Sequence, residues 1–141
     1  MRGKFDNLIK LIPVLKEKDF GTMIVDREND GTPEHPIRLP FIDYSESVRE
    51  LERAIYDFDR NNPDTDLHNY SAILEENGLE WSIESMEHAD VSDLDSTAVM
   101  ALLLGAVRAD RFSEGTLLSF LESGAVVRWL ERLKEISEEQ A

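Results

Sequence analysis

The residue types most able to do chemistry in this chain are concentrated in Arg108-Ala109-Asp110-Arg111-Phe112-Ser113-Glu114-Gly115. A spacing of three sets Arg108 and Arg111 on one helical face, at the C-terminal end of a long apolar run where the helix dipole favours cations. Such a pair has two uses. As a structural clamp, Arg111 reaches with its planar fork to a carboxylate, Glu114 or a more remote one, and Phe112 plugs the junction between two helices. As an anion site, the two arginines receive an anionic group at the free N–H groups of a following helix, with Gly115 in its first turn and Ser113 as its cap. Tyr44, Tyr70 and Trp81 are then candidates to line the pocket. The clamp is the preferred reading.

Other chemistries lack their parts. Asp26-x-Glu28-x-Asp30-Gly31 opens like a calcium loop, but the twelfth position, where a bidentate glutamate should close the shell, is Ile37. Asp57, Asp59, Asn61, Asp64 and Asp66 crowd oxygen atoms at a helix end without a glycine turn, which suits a solvated terminus. His35, His68 and His88 do not have a zinc spacing, and the chain has no cysteine. No G-x-S-x-G, G-x-G-x-x-G or P-loop occurs. No metal and no cofactor is expected, no catalytic residue is assigned, and the balance leans away from an enzyme.

The elements that must position these residues follow from periodicity. Phe5, Leu8, Ile9, Ile12 and Leu15 predict a helix over 3–18, kinked or broken at Pro13. Residues 20–25 and 37–41 read as strands around a polar loop, the second an edge strand because of Pro40. Ser45 caps a helix along Val48, Leu51, Ile55 and Phe58 that ends at Asn61-Asn62-Pro63. Leu67 to Leu74 make a shorter helix closed by Asn77-Gly78. Leu79, Trp81 and Ile83 alternate with polar neighbours and predict a third strand. Ser92-x-x-Asp95 resembles a capping box before a helix apolar on almost all sides from Ala98 to Val107. Two more helices, one capped by Ser113 and one along Val126, Trp129 or Leu130, Leu133 and Ile136, complete the chain. The expected fold is α+β: one domain over 1–141, with a small, mostly antiparallel sheet of about three strands, about six helices and an all-helical C-terminal third.

On the segment from Arg108 to Gly115 the sequence resembles a family of small bacterial proteins, a domain of unknown function with an Arg-x-Glu-Arg-Phe-x-x-Gly signature and a terminal Arg-Leu-Lys helix. Asp110 stands where the signature has glutamate, and the tail reads Arg132-Leu133-Lys134. Weaker likeness runs through residues 40–45 and 70–74, covering most of the chain from about residue 37. The resemblance implies no activity.

The formal net charge of −15 opposes nucleic-acid phosphates and anionic membranes. Residues 26–95 hold twenty acidic and five basic groups, and so account for the whole imbalance. No export signal or spanning segment is read, so a cytoplasmic protein is expected. The preferred function is a non-catalytic binding or regulatory module presenting an acidic face, with Glu46, Glu50 and Asp57, to a basic protein partner. A small enzyme or ligand-binding protein using Arg108 and Arg111 is the rival, and a homo-oligomer stays open.

Overall fold

The structure, a computed structural model, describes residues 5–17, 20–24, 41–113 and 115–139, without the side chains of 22–24 and 41–43. The chain is mostly helical, which corrects the α+β expectation. Among the described residues the strand pairing is one antiparallel ribbon of β1 (Gly21–Ile24) and β2 (Phe41–Tyr44), with Gly21 opposite Tyr44 and Ile24 opposite Phe41. Of the predicted edge strand over 37–41 only Phe41 is described, and it is in β2; residues 37–40, with Pro40, and the calcium-like loop of residues 26–37 lie outside the described residues.

The third strand does not form. Residues 79–82 turn instead, and Ile83–Glu87 is a helix, α5. Two serines decide this: the Ser82 hydroxyl accepts from the Ser85 amide at 3.2 Å, and the Ser85 hydroxyl accepts from the Glu80 amide at 2.9 Å. Side-chain caps of this kind satisfy backbone donors that a strand would need a neighbour to satisfy.

Eight α-helices are described where about six were expected, because Pro13 divides the first and α5 replaces a strand. The division gives α1 (Asp6–Ile9) and α2 (Ile12–Lys16), with the proline in the first turn of α2, where its missing N–H costs no helical bond. Next comes α3 (Glu46–Asn61), capped by Ser45 as expected, though the hydroxyl stands a long 3.5 Å from the Val48 amide. Then follow α4 (Tyr70–Glu76), α6 (Ser96–Phe112), α7 (Thr116–Glu122) and α8 (Ala125–Glu139).

Helix α6 is the centre. All ten residues from Ala98 to Val107 are buried, and α3, α4, α7 and α8 pack around it. Its cap is Asp95, which accepts from the Ala98 amide at 2.8 Å. The Ser92 half of the expected capping box is engaged elsewhere: its amide and hydroxyl both donate to Asp90, whose carboxyl is held below its usual range by these bonds. Trp129, Leu130, Leu133 and Ile136 of α8 are all buried, so both alternatives offered for that helix face inward. Arg132 ties α8 to the start of α6 by donating to the Leu94 carbonyl at 3.1 Å.

Candidate functional site

The segment singled out in the sequence ends α6, but its residues diverge instead of converging. Asp110 is the structural pivot. One of its carboxylate oxygens accepts from the Tyr44 hydroxyl at 3.1 Å, the Gly115 amide at 3.0 Å and the Leu117 amide at 3.1 Å. It thereby satisfies amides at the start of α7, the role expected of Ser113, and ties that helix to the end of the ribbon. Gly115 enters α7 at φ 94°, a left-handed backbone that glycine adopts without a Cβ clash.

The two arginines flank one tyrosine that the sequence reading did not single out. Arg108 lies beside the hydroxyls of Tyr56 and Tyr70, which raise its pKa. The contact of the guanidinium with the buried Tyr56 hydroxyl is the largest cause of that rise, although it lacks the geometry of a regular hydrogen bond. Arg111 stands over the Tyr56 ring, 5.7 Å from its centroid. The nearby half-buried Glu52 has its pKa raised, first by burial and then by Asp110, against the opposing charges of Arg111 and Arg49. Glu114, the expected partner of Arg111, lies outside the described residues.

Phe112 corrects another expectation: it is 76% exposed and plugs nothing. Its ring meets the edge of Trp81 at 6.2 Å, and Trp81 in turn meets Tyr70 at 5.1 Å. The Trp81 indole N–H donates to the Gly105 carbonyl at 3.0 Å, where the missing side chain lets the ring lie against α6. Trp81, Ile83 and Met86 on one side and Phe112, Thr116 and Phe120 on the other bound an apolar groove of about 340 Å³ between α5 and the α6–α7 junction. Trp81 and Ile83 are 37% and 46% exposed. Of the alternating residues that suggested a strand, Trp81 and Ile83 therefore wall a groove while Leu79 packs against the core, and the available signal was large apolar side chains in polar surroundings.

Charge is distributed unevenly around this groove. Residues 61–107 contain ten carboxylates and no lysine or arginine, and Glu84 and Glu87 belong to α5, the helix on one side of the groove. One arginine approaches from elsewhere, Arg128, which donates to the Glu87 carbonyl, whereas Arg111 lies over Tyr56 of α3. Helix α3 differs. Glu46, Glu50 and Asp57 are exposed, but Arg53 pairs with Glu46 and lowers its pKa, Arg60 pairs with Asp57, and Glu50 shares a shallow cleft with Lys10 and Arg53. The expected acidic face is thus interleaved with cations.

Among the described residues no group of three His, Asp or Glu side chains is placed to hold a metal, and no helix is long and apolar enough to cross a membrane. Asp57 and Asp66 bond instead to Arg60 and to His68 and Asn69 at the helix end. Comparison with curated proteins and with solved structures finds no match. The family comparison reaches further toward the N-terminus than the local resemblance did: residues 1–139 match the family described as "Family of unknown function (DUF6508)", and the chain belongs to that family.

Proposed function

We propose that this protein is a non-catalytic binding module that seats an amphipathic, basic-flanked helix of a protein partner in the groove between α5 and the α6–α7 junction. The observation that carries the reading is the exposure of Trp81, Ile83 and Phe112 together on an apolar cleft. An apolar cleft accepts the i, i+3, i+4 and i+7 side chains of a helix, and aromatic walls supply most of the affinity at such sites. Charge selects the partner's flanks, since the segment forming one wall carries carboxylates without lysine or arginine. The face of Glu46, Glu50 and Asp57 can add long-range attraction, weakened by its own arginines.

The test is titration of the full chain with a helical peptide carrying four apolar residues at that spacing and lysines at both ends, beside a peptide of equal hydropathy with glutamates instead. The lysine peptide should bind, lose affinity as salt rises, and lose at least about tenfold with Phe112→Asp or Ile83→Glu. Reversing Glu46, Glu50 and Asp57 to lysine should slow association more than it speeds dissociation. Equal binding of both peptides, or affinity indifferent to the two groove substitutions, overturns the reading.

A further inference from the structure

Arg108 faces a different cavity, of about 560 Å³, bounded by α3, the turn before α4, α4 itself and α6. Tyr56, Tyr70, Leu104 and Arg108 make its buried and half-buried part, while Asp59 and Glu75 bring carboxylates to the same space. Arg108 has no carboxylate within ion-pair distance among the described residues, and the groups that raise its pKa are the two tyrosine hydroxyls. A guanidinium only donates. The Tyr70 hydroxyl beside it therefore keeps its own hydrogen to offer to a third group, whereas the Tyr56 hydroxyl is sealed from solvent behind the guanidinium. Guanidinium N–H groups and a phenolic O–H brought together in this way suit a planar, singly charged acceptor, a carboxylate.

The carboxylates of Asp59 and Glu75 select against a dianion such as phosphate and favour a ligand with a cationic group of its own. We infer that the cavity binds a small zwitterion, an amino carboxylate whose carboxylate rests on Arg108 and the Tyr70 hydroxyl and whose ammonium turns toward Asp59 and Glu75. The site is separate from the peptide groove, from which Arg108 is absent.

Calorimetric titration of the full chain with the twenty amino acids one at a time, and with acetate, methylamine and inorganic phosphate, tests the assignment. At least one amino acid should bind saturably, about tenfold or more tighter than acetate or methylamine alone, with phosphate weaker still. Arg108→Lys keeps the charge but loses the fork, and should weaken that amino acid by about tenfold. Tyr70→Phe, which removes one hydroxyl and little volume, should weaken it several-fold and is the deciding variant if Arg108→Lys does not fold. Amide shifts on binding should fall on residues 68–72 and 104–108. Failure of every amino acid to bind at millimolar concentration, tighter binding of phosphate, or affinity unchanged in Tyr70→Phe overturns it.

Discussion

Asp110 and Arg111 are adjacent, yet they do unlike work, and substitution should separate them. Removing the Asp110 carboxylate leaves two amides at the start of α7 and the Tyr44 hydroxyl without their acceptor. Losing a helix cap costs about 1 kcal/mol, and stranded donors add to it, so Asp110→Ala should lose about 2 to 3 kcal/mol in denaturant melts. Asp110→Asn, which keeps one acceptor oxygen, should lose less. Arg111→Ala removes an exposed contact with the Tyr56 ring, worth about 0.5 to 1 kcal/mol. Equal loss in Asp110→Ala and Arg111→Ala would mean that the carboxylate does not cap α7. Glu52 supplies a pH signature of the same junction. Its folded pKa is raised above the ordinary 4.5, so the folded state holds this proton more tightly than the unfolded chain. The resulting stabilisation is complete below that ordinary value and is lost as pH rises through the folded pKa. Glu52→Gln should accordingly be more stable than the parent at neutral pH, and the advantage should vanish in acid; melts at pH 7 and pH 4 check both the sign and the window.

Element identity was legible where hydrophobic spacing was long and illegible where it was short. Helices α3, α6 and α8 carry three or more turns of consistent apolar spacing, and no strand period fits such a stretch. Leu79 to Ile83 offers only five alternating residues, too few to distinguish a strand from a turn leading into a helix, and the serine caps that decide it are weak signals beside a Trp and two aliphatic residues. The candidate site suffered similarly: Arg108 and Arg111 share a helical face in sequence, but Tyr56, contributed by a distant helix, sends them to its two aspects. Glycine at position 105 is the element-scale device that sequence reading passed over. A Cβ there would lie 3.2 Å from the Met86 methyl and 3.4 Å from both Trp81 and Tyr70. Gly105→Ala trades this crowding, against a flexible methionine end, for a helix propensity gain of about 1 kcal/mol, and should melt within about 1 kcal/mol of the parent. Gly105→Leu has no such outlet. It should push Trp81 off its carbonyl, shift tryptophan emission to the red, and cost about 1 to 3 kcal/mol; unchanged emission would show that the ring does not rest on α6.

Across the molecule, one hydrophobic cluster gathers side chains from α1 through α8. Its central helix is the least polar and the most enclosed, and it lies between α3 and α4, which precede it in the sequence, and α7 and α8, which follow. That order has a consequence for the chain as it is made. A ribosome adding about 5 to 20 residues per second delivers α6 before the helices that cover it, and the stretch from 113 to 139 takes roughly one to five seconds to follow. During that interval Leu102, Leu103, Leu104 and Val107 have no C-terminal helices to rest against. An incomplete chain thus has an uncovered greasy rod, the kind of surface that holding chaperones grip, until α7 and α8 dock against it.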